Sequence, residues 1–265
     1  MPILLLDRKE IRAEARELIR SGSVNPIKMT ALYLAITLVL NVINSATSYM
    51  VESSGGFTVL SFSFVSILVG LVALVLGTGY TCYCLGIHRR EHMPFESLFD
   101  AFSFAGKVIL LSIVQGVFIF LWSLLFVIPG IIAAYRYSFA MLNLCENPAL
   151  GVMEALELSK QQTYGYKGQL FMLNLSFFGW LLLAGAAVSG VMYLINGGMA
   201  GILQGSYPVS LSELLLSTLL DQLLVSLASL YLTPYIQLSI CGFYLRATAK
   251  PEEPQLPHSD WSSEG

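Results

Sequence analysis

Charge is the first thing this sequence has little of. Of its 265 residues, 14 are Lys or Arg and 17 are Asp or Glu, so only 12% are charged, about half the ~25% of an ordinary soluble chain. So few charged side chains cannot cover a soluble fold of this size. A basic excess is missing as well: the formal charge is −3, which argues against nucleic acid as a partner. Cysteine is scarce, with Cys82, Cys84, Cys145 and Cys241 in no spacing that suggests a disulfide framework. Cys82 and Cys84 would point to nearly opposite sides of a helix and make a poor metal pair. The sequence also lacks a P-loop, a G-x-S-x-G elbow and a dinucleotide fingerprint.

What is present is apolar: 55% of residues are hydrophobic and the mean hydropathy is +0.70. Runs without a charge extend from Met29 to Val51, Phe57 to Ile87, Gly168 to Ser212 and Gln222 to Leu245. Val108 to Cys145 carries a single charge, Arg136. That run of about 38 residues is too long for one crossing at ~20 residues and suits two. Its Pro129-Gly130 places the turn, predicting a hairpin of Val108–Ile128 and Ile131–Cys145. The basic residues alternate across the connections. Arg8, Lys9, Arg12, Arg16, Arg20 and Lys28 precede the first span, Arg89, Arg90 and Lys107 follow the second, Lys160 and Lys167 follow the fourth, and Arg246 and Lys250 follow the last. Six spans put all of these on one side, so both termini are expected to be cytoplasmic.

The expected architecture is all-α and polytopic: a single domain over residues 1–246 with six transmembrane helices as three hairpins. A polar, Pro-rich stretch at 247–265 reads as a disordered cytoplasmic tail. Each hairpin is preceded by an amphipathic segment, near 7–20, 94–105 and 148–162. Asp7 and Glu10 make a capping-box-like start to Ile11, Ala15, Leu18 and Ile19 on one face. Phe95, Leu98, Phe99 and Phe102 repeat at helical spacing, as do Ala149, Val152, Met153 and Leu156. These read as three cytoplasmic interfacial helices. Arg8, Arg12, Arg16 and Arg20 are nearly cancelled by Asp7, Glu10, Glu14 and Glu17, so the first is a salt-bridged helix that fixes topology rather than a headgroup sensor.

Arg136 and Asp221 are the charges expected within the hydrocarbon. Counted from the Pro129-Gly130 turn, Arg136 lies roughly 9 Å from the outer side, and Asp221, counted from Glu213, roughly 12 Å. Opposite in sign and similar in depth, they form a candidate intramembrane polar site and are expected to pair or share a network. Alternatively, Asp221 is interfacial and Arg136 snorkels alone. Asn41, Asn44, Gln115, Asn143, Asn174 and Gln237 read as interhelical packing groups, Pro234 as a kink, and Gly197, Gly201 and Gly205 as part of a flexible outer connection. His88-Arg89-Arg90-Glu91-His92 matches H-x-x-E-H, a zinc-peptidase pattern when helical. Two arginines inside the match and Pro94 just after it weigh against that chemistry. No catalytic residue, metal or cofactor is expected, and the chain is not expected to be an enzyme.

Several phrases together carry a resemblance: Ser97-Leu98-Phe99, Ile128-Pro129-Gly130-Ile131-Ile132, Ala134-Tyr135-Arg136-Tyr137-Ser138, Asn147-Pro148, Gly165-Tyr166-Lys167-Gly168, Leu175-Ser176-Phe177-Phe178-Gly179-Trp180, Pro234-Tyr235-Ile236-Gln237 and Phe243-Tyr244. In this order they resemble a bacterial integral-membrane family, domain-of-unknown-function family 975, most strongly over residues 95–245. More distantly they resemble the membrane domain attached to some glycerophosphodiester phosphodiesterases, whose soluble catalytic domain this chain does not contain. The resemblance implies a multi-pass protein of the bacterial cytoplasmic membrane. The expected role is a non-enzymatic membrane component that interacts with the lipid bilayer, a membrane-protein partner or a second copy in a homo-oligomer. The alternative is a small-solute or ion transporter or channel subunit using a polar site around Arg136.

Overall fold

The computed structural model describes residues 7–21, 26–53, 57–195 and 211–249. Among the described residues there is no β-strand. The helices are α1 (Arg8–Ser21), α2 (Pro26–Ser53), α3 (Phe57–His88), a 310 helix (Phe95–Phe104), α4 (Ala105–Leu125), α5 (Val127–Arg136), α6 (Ala140–Glu146), α7 (Val152–Gln162), α8 (Lys167–Ile195) and α9 (Leu211–Thr248). Six stretches are long and apolar enough to cross a bilayer: Pro26–Ser48, Ser63–His88, Phe95–Leu125, Val127–Glu146, Lys167–Leu194 and Thr218–Thr248. The all-α, six-span reading therefore holds. The Gly197/Gly201/Gly205 connection and residues 250–265 of the expected tail lie outside the described residues, and α9 runs on to Thr248.

α2 packs on α3 and α9, α4 on α5, and α8 on α9 and α5. α1 starts on Asp7, whose Oδ1 accepts the Lys9 N–H at 2.8 Å, a side-chain cap on an otherwise unpaired helix donor. Its expected stripe is buried at Ile11, Ala15 and Ile19, mainly against α9. Arg246, in the last turn of α9, reaches Glu14 at 2.8 Å and Glu10 at 3.3 Å. The first and last described helices thus meet at one end of the bundle, here called the basal end, as an even number of crossings requires.

Burial divides the bundle into two zones. Close packing is concentrated at the basal end, in α1, α3 from Val75 to Ile87, the start of α4, α6, α7, the first turns of α8 and α9 from Pro234 onward. Away from that end most side chains are exposed and apolar, among them Ile67, Leu68, Phe120, Leu121, Trp180, Leu183 and Leu227. Thr47, Gly130 and Ala133 are buried exceptions. An apolar belt above a close-packed basal cap is the surface a bilayer demands of a helix bundle.

The structure changes several local expectations. The turn between the third and fourth spans falls at Phe126, which is extended (φ −162°, ψ 152°), not at Pro129-Gly130. Pro129 sits in the first turn of α5, where a missing N–H costs nothing. Gly130 lets α5 close on α4, because a Cβ there would meet Ser123. The segment from Phe95 is a 310 helix that buries Leu98 and Ala101 and leaves Phe95, Phe99 and Phe102 outward. A period of three rather than 3.6 rotates the expected face. Gly79 makes this docking possible, since the Leu98 carbonyl occupies the space a Cβ would need. In α7 the buried residues are Ala155, Leu156 and Ser159, followed by Thr163, while Met153 is exposed. Cys82 and Cys145, on α3 and α6, are joined as a disulfide with Cα atoms 5.2 Å apart. Nothing in their spacing signalled this pairing across 63 positions.

Candidate functional site: the broken fourth span

The fourth span is not one helix. α5 stops at Arg136, the chain turns through Tyr137, Ser138 and Phe139, and α6 resumes at Ala140. The Ala140 N–H bonds to Tyr137 O at 3.1 Å, so the Arg136 carbonyl lacks the partner a continuous helix would supply. A backbone acceptor freed inside a membrane protein must be satisfied by a neighbour. α7 provides it. Ser159 Oγ donates to Arg136 O at 2.9 Å and accepts the Phe139 N–H at 3.1 Å. Thr163 Oγ1 lies 3.2 Å from the same carbonyl and 2.8 Å from Ser159 O. Asn143 Nδ2 donates to Ala155 O at 3.3 Å, which pins α6 along α7 below the break.

Around the break the walls are aromatic. Tyr135 meets Phe171 edge to face at 5.8 Å, and Phe139 packs on Phe243 and Tyr244 at 6.2 and 5.2 Å. The Arg136 Nε is buried without a hydrogen-bond partner among the described residues. Another cation, Lys167 at the start of α8, feels the field of Arg136. Neither forms an ion pair with a described carboxylate. Arg12 is a second guanidinium with an unpartnered buried Nε, and it sits over the Phe177 ring at 5.2 Å.

Arg136 and Asp221 are not brought together. No ion pair joins them, and α5 and α9 are not packing partners of note. Arg136 belongs to the basal side, one turn from Phe139, whose ring packs on Phe243. Asp221 is about 22 residues back along α9, or ~33 Å of helix. The depth expected for Arg136 changes for two reasons: the hairpin turn comes earlier, at Phe126, and the span breaks just after Arg136. Asp221 is half-buried. Its neighbour Gln222 accepts from Asn41 at 3.3 Å within the belt. Further toward the base, Gln237 Nε2 donates to Thr81 Oγ1 at 2.7 Å, and Tyr80 and Thr30 share a 2.7 Å bond.

The other basal polar groups are tied together. Arg89 pairs with Glu146, and the Tyr244 hydroxyl lies 2.6 Å from Glu146 Oε2 and 2.8 Å from Asn143 Oδ1. Lys107 Nζ holds the turn before α7 through Pro148 O and Leu150 O, at 2.5 and 3.2 Å. His88 ends α3, and its Nε2 donates to Leu238 O at 2.7 Å. The chain leaves the helix just after it, with Arg90 at φ 57°, so the two imidazoles of the H-x-x-E-H match do not share a helical face. Among the described residues no three His, Cys, Asp or Glu side chains gather as a metal site.

Sequence reasoning singled out Arg136 but missed Ser159, Thr163 and the break. The usable signal was two hydroxyls one turn apart on the apolar side of α7. The fold and this site define a helical membrane protein with a six-span bundle and a broken span at its basal end. Residues 124–251 match the model of a family described as a protein of unknown function (DUF975), which supports the resemblance over the second half of the chain. No curated protein and no solved structure matches the chain.

Proposed function

We propose that this protein is a non-enzymatic membrane component whose basal cap works at the cytoplasmic lipid interface. The observation that carries this is the 310 helix. Leu98 and Ala101 dock it on α3, while Phe95, Phe99 and Phe102 remain 45%, 48% and 41% exposed. Three outward phenylalanines beside the start of a span are the apolar face of an interfacial segment. The side is supported by charge. The described lysines and arginines lie on the basal side, with Lys28, Lys107 and Lys167 in the first turns of α2, α4 and α8. That is the cytoplasmic pattern of a multi-pass protein.

The test is fluorescence of a Phe99→Trp variant in vesicles containing lipids brominated near the headgroup. Emission added relative to the parent protein should shift to the blue and be quenched. Water-like emission without quenching would assign the stripe to a protein partner instead. A transporter subunit is the second reading, favoured by the Asn41–Gln222 contact beside Asp221 in the belt. Solute flux into vesicles that is lost in Asp221→Asn would support it.

A further inference from the structure

We infer that Arg136 and Lys167 form a binding site for one anionic phospholipid of the cytoplasmic leaflet. This rests on the basal end lying at the lipid interface and adds a site and a ligand class to that reading. The Tyr135 and Phe171 rings meet at 5.8 Å across the α5–α8 junction. This brings Arg136, the residue after Tyr135, and Lys167, one turn before Phe171, to the same junction, where Lys167 feels the charge of Arg136. Like charges at such a junction repel, and no described carboxylate pairs with either. Arg136 also keeps a buried Nε donor unused. Two other basal guanidiniums are matched by carboxylates, Arg89 by Glu146 and Arg246 by Glu10 and Glu14, while Arg12 lies over the Phe177 ring. An anion from outside the chain would relieve the repulsion by pairing with the two cations, as a phosphodiester does with arginine.

The surface beside the pair specifies the rest of the ligand. α5 is only 10 residues long, so most of the 29-residue α8 runs on without α5 beside it. Ile131 and Ile132 on α5 and Phe171 and Leu175 on α8 are exposed next to the junction. A basic pair at one end of an exposed apolar face complements an anionic head followed by acyl chains. The Ser159 hydroxyl, by holding the Arg136 carbonyl, fixes where that basic end stands.

The full chain, purified in mild detergent, would be offered phosphatidylglycerol or phosphatidylcholine at equal concentration and examined by native mass spectrometry. Retained phosphatidylglycerol with little phosphatidylcholine is expected. In an Arg136→Gln/Lys167→Gln variant that retention should fall roughly tenfold or more, since each basic residue near the surface contributes about 1 kcal/mol to such attraction. Arg136→Lys should keep most of it. Lys28→Gln should keep it as well, because Lys28 is exposed on α2, which packs on α3 and α9. Equal retention of the two lipids by the unaltered protein, which needs no variant to fold, would overturn the inference. So would undiminished phosphatidylglycerol in the double variant, or its displacement by excess inorganic phosphate, which would mean that the chains take no part. The Phe99→Trp result is independent of these outcomes, so failure of the interfacial reading and failure of this site are distinguishable.

Discussion

A single hydroxyl carries the break in the fourth span. Ser159 is fully buried and serves two backbone groups at once, giving its proton to Arg136 O and taking the Phe139 N–H. Replacing it with alanine leaves a buried donor and a buried acceptor without this partner. The expected loss is about 1–3 kcal/mol, the usual cost of an unsatisfied buried polar group. Thr163 lies 3.2 Å from the carbonyl and can recover part of that bond, whereas the Phe139 N–H loses the Ser159 oxygen outright. Thermal unfolding in detergent should therefore show a clearly lower midpoint for Ser159→Ala. Ser103→Ala, at an exposed serine of the 310 helix, should stay within about 0.5 kcal/mol of the parent. Equal midpoints for the two variants would mean that the turn finds other partners and that α7 is not its support.

At the scale of elements, α1 is held to the bundle by two unlike interactions of different size. Ile11 is fully buried, and truncating such a side chain to alanine costs about 2–5 kcal/mol. The Arg246 pairs with Glu10 and Glu14 are solvent-accessible, with Glu10 68% exposed, and exposed pairs contribute about 0–1 kcal/mol. Trypsin cutting within α1, followed by mass spectrometry, should accelerate roughly thirtyfold or more in Ile11→Ala and at most severalfold in Arg246→Gln. Half-molar salt should mimic only the second. An Arg246→Gln effect as large as that of Ile11→Ala would make the ion pairs the main fastening. This docking was legible in the sequence, because the period of Ile11, Ala15 and Ile19 matches the helix that forms. The 310 helix was not, because its phenylalanines also fit a 3.6 period, and the choice was made by Gly79 admitting the Leu98 carbonyl. The α4–α5 turn was misplaced for a related reason: Pro129 fits a helix start as well as a helix end. The break at Arg136 could not be read locally, since its stabilising hydroxyls lie more than 20 positions downstream.

The whole molecule joins topology to redox chemistry through its four cysteines. The charge-poor composition and the even number of spans were plain in the sequence, and the ion pairs between α1 and α9 place the described chain ends together. The structure adds a disulfide, Cys82–Cys145, between α3 and α6 in the basal cap, with Cys84 and Cys241 free and buried. If the basal cap faces the cytoplasm, glutathione and thioredoxin keep a bridge of this kind reduced in the cell. The two observations therefore make the thiol state a compartment marker. Cells quenched in acid, then denatured and treated with maleimide without reductant, should yield protein carrying four adducts, one per cysteine. Reduction before labelling should add nothing further. Two adducts rising to four after reduction would show the bridge formed in the cell, placing the cap in an oxidising compartment and reversing the proposed orientation. The anionic-lipid site would then belong to the opposite leaflet, while its geometry at Arg136 and Lys167 would be unchanged. Oxidation during purification cannot imitate that outcome, because acid removes the thiolates that exchange requires.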